Sequence, residues 1–219
     1  PVISAVVVDD QSSSPADEVD LLSGLTQKVN CTGIITDNQG FADIINATAV
    51  FFNANTTNAT YTDDNNNHYS NNTCILSGCG GTTCQTQCSF DVYYYSESNT
   101  QDGWTCIIAA TDTENLRGTG SDVTSINQLI ALSVPSSIHF GTVVPNTVSI
   151  ENITNITNIG NIPISLSLSG YSAIPGDGYA MNCTSGFNIT IGYEKYNLSS
   201  SNPGNLNLTT FESLYQNMT

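Results

Sequence analysis

Six cysteines, Cys31, Cys74, Cys79, Cys84, Cys88 and Cys106, fall within one stretch of the chain and lie in or beside segments whose side chains alternate apolar and polar. Alternation with a period of two marks a β-strand with one buried face. A dense local set of cysteines marks a disulfide framework formed in an oxidising compartment. The alternating or β-branched segments are VISAVVV (2–8), VNCTGIITD (29–37), DIINATAVFFN (43–53), CSFDVYYY (88–95) and WTCIIAATD (104–112), separated by turn sequences such as DNQG and ESNTQDG. No helical period competes with them. About seven short strands between turns predict an all-β, two-sheet Greek-key sandwich.

Such a sandwich needs about 100 residues, and the chain has 219. Two tandem domains are therefore expected, 1–118 carrying the cysteine framework and 119–219 following it. The second region repeats the alternation in SSIHFGTVVP, in Val148, Ile150, Asn152, Thr154 and Ile156, and in Ile162, Ile164, Leu166 and Leu168. It offers five or six strands, fewer than a closed sandwich wants, which leaves an apolar groove and an unpaired edge. Three explanations fit: a polypeptide that continues past Thr219, a pairing not legible in the sequence, or a strand supplied by a neighbouring subunit. The apolar N-terminal segment, with Val2, Ile3, Val6 and Val8, is the obvious donor. The chain opens at Pro1, which reads as a processed start or a cut.

In a seven-strand sandwich the second and sixth strands face each other across the core. Cys31 and Cys106 lie in those strands, and Val29, Ile35, Trp104 and Ile108, at even spacing from them, are apolar. Cys31–Cys106 is therefore the leading pair. Closing its loop of about 75 residues would stabilise by about 4 kcal/mol on chain entropy. The remaining four suit a hairpin, with Cys74–Cys88 nested around Cys79–Cys84, although six cysteines allow 15 pairings and the spacing also admits zinc. Cys183 is left over, as a buried thiol, an intermolecular link, or a partner for polypeptide beyond this chain.

Three basic residues stand against nineteen acidic ones, a formal net charge of −16. No basic cluster exists to replace phosphate counterions, so nucleic acid is not an expected partner, and no run approaches the ~20 apolar residues of a membrane span. Twelve Asn-x-Ser/Thr sequons (Asn30, Asn46, Asn55, Asn58, Asn71, Asn152, Asn155, Asn182, Asn188, Asn197, Asn207 and Asn217) read as a map of N-linked glycans, against the plain alternative that an Asn- and Thr-rich chain makes sequons by chance.

Asp37, Asn38 and Asp43 flank the turn after the second strand, while Asp112 and Glu114 follow the sixth. These loops share one end of such a sandwich, where their oxygens could hold a structural Ca²⁺; ordinary turn chemistry is the competing reading. The run Asp63–Asn67 is a second, weaker candidate. No cofactor is required by any motif. No GxSxG elbow, phosphate-binding loop or dinucleotide glycine pattern occurs. His68 and His139 show no sequence partners, and Tyr93, Tyr94 and Tyr95 read mainly as sheet packing. No enzyme is expected.

The succession VNCTGIITDNQGFADI, AVFF, CSFDVYYY and DGWTCIIAATD, over roughly residues 20–114, resembles Ig-like repeats of archaeal cell-surface proteins. SSIHFGTVVP with TNIGNIPISLSLSG resembles the start of a second such module, one that in that group continues beyond a tail like this one. The Cys79 and Cys84 pair departs from the pattern. The resemblance implies surface display and a non-enzymatic role: a structural subunit of a filament, pilus or S-layer-like lattice whose partners are copies of itself. The alternative is a monomeric adhesin or ligand-binding ectodomain recognising another cell surface; a secreted hydrolase ranks last.

Overall fold

The computed structural model describes residues 1–11, 18–198, 212 and 215–218. Nine strands build two sheets: β1 (Val2–Asp9), β2 (Glu18–Val19), β3 (Thr26–Thr36), β4 (Ile44–Asn53), β5 (His68–Asn71), β6 (Ile75–Gly80), β7 (Thr83–Tyr93), β8 (Asn99–Asp112) and β9 (Arg117–Ile126). One sheet has the order β1-β3-β7-β6; the other runs β2-β9-β8-β4-β5, with β2 parallel to β9. The chain changes sheet after β1, β2, β3, β5 and β7. The protein is all-β and packs these sheets as a sandwich.

Alternation explains the core. Val29, Cys31 and Ile35 on β3, and Cys88, Phe90 and Val92 on β7, face Ala47, Ala49 and Phe51 on β4 and Trp104, Cys106, Ile108 and Ala110 on β8. Phe51 is the hub, with ring centroids 4.7 Å from Trp104 and 5.7 Å from Phe90. Each large aliphatic or aromatic side chain among them contributes roughly 1.5–3 kcal/mol from its apolar area. Three disulfides staple the framework: Cys31–Cys106 between the sheets, Cys74–Cys88 beside them, and Cys79–Cys84 across the β6–β7 hairpin. The sulfurs are thus joined to one another and not gathered round zinc. No helix among the described residues is long and apolar enough to cross a membrane.

The N-terminal strand does not stand free as a donor. β1 lies antiparallel to β3 in its own chain, with Val2 opposite Thr36 and Val8 opposite Cys31. The ladder skips between Ser4 and Val7, and Ala5 takes φ 49° there. Two residues, Ala5 and Val6, oppose Gly33 alone, which is a β-bulge. Strict alternation from Ile3 would turn Ala5 inward and leave Val8 outside. The bulge shifts the phase by one, so that Ile3, Val6 and Val8 all meet the core. Ile3, Val6 and Val8 are thus covered within the chain, while Val2 and Val7 stay exposed on this edge strand.

The chain divides into two compact units. The first comprises Pro1–Ser133 with Asn158–Ile164, the second Val134–Thr157 with Ser165–Thr219. Strand β9 therefore belongs with the cysteine framework, beyond the boundary at 118 that the sequence suggested. The returning segment is held by Asn161: its Nδ2 donates to the carbonyls of Ser96 and Asn127, and its Oδ1 accepts from the Leu129 N–H.

The second unit carries less regular structure than its alternation suggests. Its ladders, among the described residues, are short, Tyr179–Met181 with Ile189–Thr190 and Lys195–Tyr196 with Gln216–Asn217. Residues 148–156 carry no ladder in this chain, and Ile150 and Ile153 are 74% and 70% exposed. Alternation says that a segment can hide one face; it does not say against what. One turn is well built: Asp177 accepts from the N–H groups of Ser172, Ala173 and Tyr179 and from the Ser172 hydroxyl, which holds its carboxyl far below the usual carboxylate range.

Candidate carboxylate site

Asp37, Asp43 and Asp112 each supply one carboxylate oxygen to a common point, all within 4.8 Å of one another. They come from different parts of the sandwich. Asp37 follows β3 in the first sheet, Asp112 ends β8 in the second, and Asp43 closes the short 3₁₀ turn Phe41–Asp43 leading into β4. Gly40, at φ 112°, lets that turn begin. The turn is pinned to the β6–β7 hairpin, where Phe41 N–H donates to the Gly81 carbonyl and Asp37 N–H to that of Thr82.

One oxygen of each carboxylate is already hydrogen-bonded within the protein. Asp37 Oδ1 accepts from Gln39 N–H at 2.8 Å. Asp112 Oδ1 accepts from Glu114 and Leu116 N–H at 3.0 and 2.8 Å. Asp43 Oδ1 accepts from the Thr113 hydroxyl. The Asp37 and Asp112 contacts are the Asx-type ones that ordinary turn chemistry predicts, whereas the Asp43 contact ties the turn before β4 to the residue that follows β8. The other oxygens are what turn chemistry does not use. Asp43 Oδ2 and Asp112 Oδ2 are buried and have no hydrogen-bond partner, and the Asp112 side chain is 1% exposed. Asp37 Oδ2 lies 3.1 Å from the Pro1 nitrogen, which is 3.9 Å from Asp112 Oδ2. The Gln39 N–H and the Pro1 ammonium hold the Asp37 carboxyl below its ordinary range, against the opposing effect of burial.

Of the five residues the sequence suggested for calcium, three acidic ones converge and Glu114 does not join them. Asn38 is exposed, and Glu114 Oε1 accepts from the Gln39 side-chain amide at 3.2 Å, at the rim. The turn geometry that aims Asp37 and Asp112 inward sends their neighbours outward. The second candidate run is occupied otherwise. Asp64 Oδ1 accepts from the N–H groups of Asn66, Asn67 and His68, and Asp63 binds His68 Nδ1 at 2.8 Å and the Ser70 N–H and hydroxyl. His68, partnerless in the sequence, is thus buried, paired with Asp63 and stacked on Phe52 at 6.0 Å. Its short-range signal was hidden by the polar loop around it. His139 lies near the Ser137 hydroxyl alone among the described residues. Tyr93 and Tyr95 stack at 5.2 Å, with Tyr94 edge-on to Tyr95.

The sequons separate by the burial of their amides. Asn30 is 5% exposed and its Oδ1 accepts from the Ser89 hydroxyl at 2.6 Å. Asn71 Nδ2 donates to the Ser89 carbonyl at 2.9 Å, and Asn152 Nδ2 is buried. A saccharide on any of these three would have to displace packed structure. Asn46, Asn55, Asn58, Asn155, Asn182, Asn188, Asn197 and Asn217 are exposed; Asn207 lies outside the described residues. Cys183 is unpaired and half-buried, and its N–H donates to Asn188 Oδ1.

Comparison with protein-family models and with curated proteins finds no match for this chain.

Proposed function

We propose that the protein is an extracellular structural subunit of an archaeal surface assembly, a filament, pilus or S-layer-like lattice, whose partner is a second copy of the same chain. The observation that carries this reading is the apolar surface of the second unit. Ile150, Ile153 and Leu166 lie in segments that carry no ladder and stand exposed. Exposed apolar side chains on segments without a ladder favour an interaction site, and an alternating segment is completed most simply by another alternating segment. The strand order of the first unit, β1-β3-β7-β6 against β2-β9-β8-β4-β5, supports the Ig-like reading. Three disulfides suit a life outside the cell, and N-linked glycans on the exposed sequons would solubilise a surface with almost no lysine. Assembly runs through the second unit and the exposed edge strand β6, with β1 kept in its own sheet.

The test is light scattering and electron microscopy of the full chain at rising salt, because a net charge of −16 makes copies repel until screened. Ordered assemblies in the wild type, lost in an Ile150→Asp/Ile153→Asp variant whose first unit still melts normally, support the reading. A monomer at every salt concentration refutes it and favours the ligand-binding ectodomain. A shallow groove lined by Ala5, Ile34, Ser77, Gln85 and Gln87 on the outer face of the first sheet is the observation that speaks for that alternative.

A further inference from the structure

Three carboxylates converging in a nearly closed space repel one another unless a positive charge sits among them. The protein has few of its own to send. Lys28 is spent on Asp91 at 2.9 Å, and among the described residues no lysine or arginine side chain forms an ion pair with Asp37, Asp43 or Asp112. The Pro1 ammonium offsets one charge of the three and sits to one side, 3.1 Å from Asp37 and 3.9 Å from Asp112.

Hydrogen bonds within the protein account for the Oδ1 atoms and leave the Oδ2 atoms of Asp43 and Asp112 buried without a hydrogen-bond donor. Leaving a buried carboxylate oxygen unsatisfied is costly. Asp112 cannot relax outward, because its other oxygen is held by two backbone N–H groups. The site is therefore built to keep these oxygens where they are, and a ligand from solution must supply what the chain does not.

We propose that Asp37, Asp43 and Asp112 form a Ca²⁺ site that clamps the ends of β3 and β8, and so the two sheets, to the turn before β4. The donor set is all oxygen and formally carries three negative charges, which selects a hard divalent cation over a softer one. Three carboxylate oxygens no more than 4.8 Å apart are close enough to share one ion, and a set contributed by turns suits Ca²⁺, which takes about six to eight oxygens in loose geometry, better than Mg²⁺, which demands a near-ideal octahedron and keeps several of its waters. Water and loop carbonyls complete the shell. Three protein carboxylates completed by water make a site of the weaker class, with Kd of about 10⁻⁴ to 10⁻³ M. The inference does not depend on assembly and holds for a monomer.

The experiment uses the full, disulfide-intact chain stripped with a chelator. Calorimetric titration with CaCl₂ and with MgCl₂ is run beside thermal melts at ionic strength matched by NaCl. The expected result is one Ca²⁺ per chain, a rise in Tm beyond the NaCl control, and a weaker response to Mg²⁺. Asp43→Asn carries the decision, since Asp112→Asn also strips the β8–β9 turn; it should weaken Ca²⁺ binding at least about tenfold while the calcium-free melt stays near wild type. Asp63→Asn, in the other acidic loop, should leave binding unchanged. No binding, equal response to both cations, or binding untouched by Asp43→Asn would overturn the proposal.

Discussion

Cys31 on β3 and Cys106 on β8 join the two sheets through the core, with Cα atoms 6.5 Å apart, and Trp104 lies wholly buried two residues before Cys106 on the same inward face. This link closes 75 residues, whereas Cys79–Cys84 closes 5. In the chain-entropy account the first constrains the unfolded chain by about 4 kcal/mol and the second by about 2 kcal/mol. Denaturant unfolding of Cys31→Ala/Cys106→Ala should therefore show a much larger loss than Cys79→Ser/Cys84→Ser. Equal losses would mean that the cross-sheet bond is not the main staple.

Gly120 on β9 faces the bulged strand. A Cβ placed there would come within 2.9 Å of Ile3 Cγ2 and Val6 Cγ2. Gly120→Val should push β1 off the core at a cost of about 1–3 kcal/mol, with hydrogen exchange accelerating over residues 2–9 before other strands. Rapid exchange of those amides in the wild type would contradict the placement of β1 in its own sheet.

Stability should fall at both ends of the pH scale for identifiable reasons. Asp37 is held below its ordinary value of 3.8 chiefly by the Gln39 N–H. For Asp64, burial pushes up but the N–H groups of Asn66, Asn67 and His68 outweigh it, so it too is lowered. A carboxyl with a lowered folded pKa stabilises fully above its unfolded value and loses that contribution as pH falls through the folded one. The acid loss therefore begins near pH 3.8 and deepens below it. Burial raises Tyr69 from 10.0 to about 12. The unfolded chain releases that proton first, so stability falls between pH 10 and about 12, by roughly 2–3 kcal/mol. Tyr69→Phe should flatten that alkaline arm, at the expense of the hydroxyl's bonds to the Asn65 carbonyl and Ser96. Chemical denaturation across pH reads both arms; an unchanged alkaline arm in Tyr69→Phe would refute the assignment.

Glycopeptide mass spectrometry of natively produced protein should find saccharide on sequons such as Asn55 and Asn58, whose side chains are exposed, and none on Asn30. Asn30→Ala should cost about 1 kcal/mol through the lost Ser89 contact, whereas Asn55→Ala should leave the melt unchanged. Saccharide on Asn30 in folded material would overturn the β3–β7 arrangement around Ser89.

Much of the first unit was legible from local pattern. Val29, Ile35, Trp104 and Ile108 read as inward-facing because side-chain direction in a strand depends only on parity, and all four are buried. Parity also failed where it was interrupted. The bulge at Ala5 requires a left-handed backbone that no residue type there announces, so β1 read as a loose strand able to leave. The acidic site was legible in part. Asp37, Asp43 and Asp112 were recoverable from loops at one end of a sandwich, but turn geometry alone decides which oxygens point inward, and it left Glu114 out.

The amino-acid order by itself determined the class of structure: alternating side chains, turn residues between them, cysteines positioned to join facing strands, and a surface with almost no positive charge. These are properties of neighbours along the chain, and short-range sterics and burial suffice to specify them. Tertiary structure alone decided which ladder β1 joins, that His68 meets Asp63, that Asn161 returns to Ser96 and Asn127, and that three aspartates share one space. Each joins groups held together by the packing of both sheets, a long-range outcome that no local window of sequence contains.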